Sequence, residues 1–232
     1  MPKLRPVPKI MKQQIRLRVL FALASSLAFS GCITPKSFVD PSVTKQTYED
    51  LQHPAQPLRL TLAVAFQRNG VPLPKADSTL RDDTERILRA SGVILPVSGG
   101  SEGQIKVTVN NIADKSAAAA KGFGTGLTFG LVGSTVMDAY ELSVAITVGS
   151  KTFTRTAVRH AIYTMIGNTT APAGVETVPP NVAFQRVLEQ MLIRVLREYQ
   201  GTATDQANKS PEATPGERAP ATQNPASGAP LL

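Results

Sequence analysis

The sequence predicts an α+β fold: a two-layer sandwich with a largely antiparallel sheet of about five strands and two helices packed on one face. Three observations point there. Four stretches of the middle region alternate apolar and polar residues with the two-residue period of a half-buried strand. Two others carry apolar residues at helical spacing, and they lie toward the two ends of the strand run. A Gly-Ser pair, 149–150, separates two of the alternating stretches, as a tight hairpin requires.

Taken in order, "LRLTLAVAF" (58–66) places Leu58, Leu60, Leu62, Val64 and Phe66 on one face. "KADSTLRDDTERILRASG" (75–92) then reads as a helix. Asp77 or Ser78 is a candidate cap, Gly92 a stop, and Leu80, Thr84, Ile87, Leu88 and Ser91 its inward stripe. Its acidic cluster, Asp82, Asp83 and Glu85, reads as solvated charge favoured by the helix dipole. "VILPV" (93–97) is a short strand that Pro96 confines to a sheet edge. "QIKVTVNNI" (104–112) turns Ile105, Val107 and Val109 inward. "AYELSVAITV" (139–148) and "KTFTRTAVRHAIYTMI" (151–166) form the hairpin around Gly149 and Ser150. The clearest helix is "PPNVAFQRVLEQMLIRVLREYQG" (179–201). Pro180 lies in its first turn, Gly201 is its expected end, and Val187, Leu188, Met191, Leu192, Val195 and Tyr199 form its apolar stripe.

The amino-terminal region belongs to a different kind of sequence. Lys3, Arg5, Lys9, Lys12, Arg16 and Arg18 precede the apolar run "VLFALASSLAF" (19–29), which leads to Ser30, Gly31 and Cys32. That order is a secretory signal, and 11 apolar residues are too few for a helix that crosses a bilayer, which needs about 20. Met11 would open a signal of more ordinary length. Cys32 is the only cysteine, so it has no internal disulfide partner. Phe29-Ser30-Gly31-Cys32 resembles a bacterial lipobox, with Phe29 where that pattern usually has Leu. The resemblance implies a diacylglyceryl group on the Cys32 thiol, cleavage before Cys32 and acylation, such as by palmitate, of the new amino terminus. Ile33, rather than Asp, after Cys32 implies the outer membrane, with the domain facing the periplasm.

Charge follows from this processing. The full chain is +8, but six of its 25 basic residues precede Cys32, leaving 19 against 17 acidic residues, a net of +2. The basicity that would suggest nucleic acid leaves with the signal, so no nucleic-acid partner is expected. Residues 33–57 hold four prolines and no sustained period, and read as a tether able to span roughly 80 Å. Residues 201–232, rich in Ala, Pro, Ser and Thr, read as a disordered tail. The folded domain is then 58–200.

No catalytic set is expected. Of two histidines, His53 falls in the tether. His160 alternates with Val158 and Ile162 as a half-buried strand residue. There is no zinc spacing, no HExxH and no GxSxG. Gly122, Gly124, Gly126 and Gly130 match neither phosphate-binding pattern, so neither cofactor nor metal is expected.

What remains is the insertion 117–138, "AAAAKGFGTGLTFGLVGSTVMD", in which Lys121 and Asp138 are the only charges. Its small residues recur every fourth position, as in close-packed membrane helices. A single crossing, however, would part the strands on either side. The segment could instead supply two membrane strands, the principle of lipid-bearing secretion channels of the curli type, or an apolar contact loop. Phe123, Leu127, Phe129, Leu131 and Val132 are its candidate membrane or partner contacts. "GLTFGLV" and "TVMDAYELSV" resemble a stretch shared by a group of proteobacterial lipoproteins with no assigned activity. The overall pattern resembles small outer-membrane lipoproteins that assemble lipopolysaccharide or secretion machinery. The expectation is a non-enzymatic envelope assembly or scaffold subunit; the alternative is an oligomeric or pore-forming lipoprotein that inserts 117–138.

Overall fold

Side chains of an extended chain leave alternate faces, so alternating apolar residues commit a strand to one buried side. The computed structural model describes residues 35–113, 134–166 and 169–209. In it these strands join one seven-stranded sheet. They are β1 (Lys36–Val39), β2 (Leu58–Arg68), β3 (Val71–Pro72), β4 (Ile94–Pro96), β5 (Gly103–Ile112), β6 (Ser134–Val148) and β7 (Lys151–Ile166). Among the described residues two α-helices accompany them, α1 (Asp77–Ser91) and α2 (Pro180–Lys209). The fold class is α+β.

The strand order is β1-β7-β6-β5-β2-β3, with β4 beside the start of β2. The sheet is therefore larger than the expected five strands, and it is mixed. β2 runs parallel to β5, from Leu60↔Gly103 to Arg68↔Asn111, and parallel to β4. The cause is α1: a helix following β2 returns the chain to the end where β2 began, so the next strands run the same way. Pro96 sits in β4, whose only partner in the sheet is β2, as an edge position allows.

Leu80, Ile87 and Leu88 of α1 meet Val187, Leu188, Met191, Leu192 and Val195 of α2 in one core. Leu60, Ile105, Val107, Val109, Leu142, Val144 and Ile146 of the sheet complete it. Burying each such side chain contributes about 1.5–3 kcal/mol, so this layer carries much of the stability. A second cluster consists of Phe38, Ile112, Ala139, Ala161, Tyr163 and Met165, with Ala171 and Val175 packed against it. By strand alternation it lies on the other face of the sheet, and the sequence pattern did not reveal it.

Several boundaries differ from expectation. The presumed tether 33–57 is folded from Lys36 onward. β1 pairs antiparallel with β7, Phe38 is buried and stacks on Tyr163 at 5.3 Å between centroids, and Leu51 joins the main core. Four residues of strand flanked by proline were too short to show a period. Gly201 does not end α2, which continues to Lys209. Residues 201–209 are thus not tail, and 210–232 lie outside the described residues. β6 begins at Ser134, so residues 134–138 belong to the sheet rather than to the insertion.

α1 also starts differently. Neither Asp77 nor Ser78 caps it: the cap position is Ala76, reached through a single 3-10 turn at Pro74–Ala76. Asp77 Oδ1 instead accepts from the Phe66 amide of β2 at 2.6 Å, tying helix to strand. Gly92 ends α1 at φ +67°, a left-handed conformation that favours glycine.

Candidate functional site

Cys32 and the candidate contacts Phe123, Leu127, Phe129, Leu131 and Val132 lie outside the described residues. The structure does place the chain on either side of them. β5 and β6 pair antiparallel from Gly103↔Val148 to Ile112↔Ala139. The chain leaves β5 after Ile112 and re-enters β6 at Ser134, five residues beyond Ala139 and roughly 17 Å along the strand. Both connections open at the same end of the sheet. The two ends that border the insertion are thus held by one paired ladder.

Polar side chains among the described residues do structural work at α2. A bulge in β7, where Leu142 faces Val158 but Val144 faces Arg155, adds a residue and holds Ala157 at φ +55°. The extra residue keeps Phe153 and Arg155 on the same side as Val158 and His160. His160 is consequently buried against α2, at 2 % exposure, rather than half-buried. The Ala161 amide donates to its Nδ1 at 3.0 Å, so the ring's proton resides on Nε2 and is directed to Gln190 Oε1 at 3.1 Å. Burial pushes the His160 pKa below its ordinary value, with Gln190 opposing the shift. The ring is a neutral strut.

Asp83 corrects another expectation. It is buried, not solvated, and accepts from Gln185 Nε2 of α2 at 2.9 Å, with Arg86 3.6 Å away. The sequence held the signal: positions 80, 83, 84 and 87 form one helical stripe. Asp82 and Glu85 remain more exposed. Tyr48, in the 3-10 turn Tyr48–Asp50, donates to Glu189 Oε2 at 3.0 Å, and burial and then Glu189 push its pKa up to about 12.

A crevice of about 490 Å³ opens beside this turn, lined by Lys45, Tyr48, Glu176, Arg186 and Glu189 among others. In it Arg186 makes two 2.9 Å hydrogen bonds to Glu176. Another, of about 510 Å³, lies between α1 and β4, and there Arg89 is held by Glu85 and the Pro96 carbonyl. Neither presents a nucleophile beside a base. Among the described residues no cluster of three His, Cys, Asp or Glu could hold a metal, and no helix is long and apolar enough to cross a membrane.

Comparison with known proteins adds little. No protein family and no curated protein matches the chain. Among solved structures it is similar to a DUF4136 family protein from Bacteroides thetaiotaomicron, at 10% identity over 74% of this chain and 96% of that one. The TM-score of 0.28 does not establish a common fold.

Proposed function

We propose that this chain is a lipid-anchored protein of the outer membrane whose periplasmic α+β domain serves as a non-enzymatic assembly or scaffold subunit of the envelope. The observation that carries the reading is the order of basic residues, an 11-residue apolar run and Ser30-Gly31-Cys32, with the chain's only cysteine at the cleavage point. Acyl chains on Cys32 would each add about 0.8 kcal/mol per buried CH₂, and several chains together make anchoring effectively permanent. The domain then has no need of its own span, and its helices and sheet form a two-layer scaffold. Interlocked polar pairs such as His160–Gln190 and Asp83–Gln185 fit a rigid scaffold better than a catalytic cleft. The reading calls for no cofactor and no nucleic acid.

Mass spectrometry of the mature amino terminus tests it, with acylated Cys32 as the expected result. Wild type and Cys32→Ser both recovered as unmodified soluble protein would sink it. Co-purification from membranes should then return an envelope partner.

A second reading, an oligomer that inserts the part of 117–138 preceding Ser134, is favoured by one observation: both connections to that insertion open at the same end of the sheet, so the chain can enter a membrane and return. Crosslinking in membranes that yields only monomers counts against it.

A further inference from the structure

The outer edge of β2 is open over its middle. β4 covers Leu58 to Leu60 and β3 covers Gln67 and Arg68, so from Leu60 to Phe66, roughly 20 Å of strand, no other strand among the described residues lies beside it. The even-numbered residues turn their backbone groups to this side. The Leu58 amide donates to the Val93 carbonyl, the Leu60 carbonyl accepts from the Val97 amide, and the Phe66 carbonyl accepts from the Leu73 amide. The N–H and C=O of Val64 and the N–H of Leu62 therefore face outward, and none of them meets a partner among the described residues. One ridge of α1, with residues four apart, runs along this gap. Asp77 accepts from the Phe66 amide, Arg81 Nη1 donates to the Leu62 carbonyl at 2.9 Å, and Arg89 donates to the Pro96 carbonyl at 3.0 Å while Glu85 holds it. Arg81 pairs with no carboxylate among the described residues, and its Nε and Nη2 donors are unspent. The crevice of about 510 Å³ opens at this place, lined by Leu62, Arg81, Arg89, Leu95 and Val97 among others.

We infer that this gap binds an extended peptide segment of a partner protein, added as a strand beside Leu62 and Val64 and carrying an aspartate or glutamate against Arg81. A residue paired antiparallel with Val64 satisfies its N–H and C=O together. Backbone pairing of this kind supplies affinity whatever the sequence, and side-chain contacts supply the choice of partner. Here the choice falls to charge. Arg81 and Arg89 outnumber Glu85 over the crevice, and the Nε–Nη2 side of the Arg81 guanidinium can hold a carboxylate through two hydrogen bonds. The edge also lacks the usual guards against pairing: from Thr61 to Ala65 it has no lysine, no proline and no bulge. The site gives the proposed assembly subunit a surface for its partner, and it exists whether or not Cys32 carries lipid.

Panning a phage library of short random peptides on the full-length processed chain tests this. Enriched peptides are synthesised with acetylated and amidated ends, so that only side-chain carboxylates remain. They should carry an acidic residue and slow hydrogen exchange at the Leu62 and Val64 amides. Affinity should fall about tenfold in Arg81→Gln, an exposed position whose change leaves the core intact. Val64→Pro removes the outward N–H, a change that the outer side of an edge strand tolerates, and should abolish binding. If that variant fails to fold, Arg81→Gln decides alone. A library that yields no enriched peptide, peptides with no acidic residue, or binding that leaves the two amides unprotected overturns the inference. So does protection of both amides on raising the protein concentration without peptide, which would mark a contact between copies of this chain. An unacylated Cys32 in the same sample defeats the lipoprotein reading and leaves this site untouched.

Discussion

His160 Nε2 lies 3.1 Å from Gln190 Oε1, and this contact fastens β7 to α2 through a buried imidazole. The Nδ1 that faces the Ala161 amide has no room for a second proton without opposing that N–H. Folding therefore favours the neutral ring, and the folded pKa is depressed by burial. The unfolded state binds the proton more readily, so stability is fully present above the ordinary histidine pKa of about 6.5 and is lost as pH falls below it toward the folded value. Urea midpoints measured from pH 7.5 to 5 should decline for wild type and decline less for His160→Gln. Identical pH slopes would refute the assignment.

Leu188 is fully buried where α2 meets the sheet. Leu188→Ala should cost about 2–5 kcal/mol in denaturant unfolding, the transfer loss plus the cavity left behind. Val71→Ala, at an exposed site, should change stability by about 0.5 kcal/mol or less.

Asp83 and Gln185 join the two helices through one hydrogen bond. Asp83→Ala strands the Gln185 amide and should lose about 1–3 kcal/mol. A double-mutant cycle with Gln185→Ala should show coupling of about 0.5 kcal/mol or more, and simple additivity would deny the pair an energetic role.

At Gly103 a Cβ would run into the Thr147 carbonyl of the neighbouring strand. Gly103→Ala must therefore push β5 away from β6. We expect a loss of about 1–3 kcal/mol in the unfolding free energy, with weakened amide-exchange protection at Ile105 and Ile146.

The sequence made regular, one-sided elements easy to read. Apolar alternation placed β5 and β7 within a residue or so, and the helical stripe of α1 named five residues that are all buried. What it hid were relations between elements. Nothing local in β2 says that its partner β5 runs parallel; that follows from the helix between them. β1 escaped because its stability comes from β7, more than a hundred residues later. Asp83 was misjudged because its charge outweighed its position, although Gln185, on a distant helix, supplies the partner. At the candidate site, Cys32 and the insertion contacts lie outside the described residues, so what the sequence says there stays an expectation.

The pairing of β1 with β7 also sets a schedule. Ser37 and Thr164 hydrogen-bond side chain to side chain across 127 positions of chain. A contact so distant in sequence is slow to form, because loop closure precedes any gain from pairing. Of the seven described strands, the first to be synthesised must wait for the last, with Phe38 uncovered in the interval. A factor that shields the nascent amino-terminal segment would thus act on this protein when its sheet still lacks an edge.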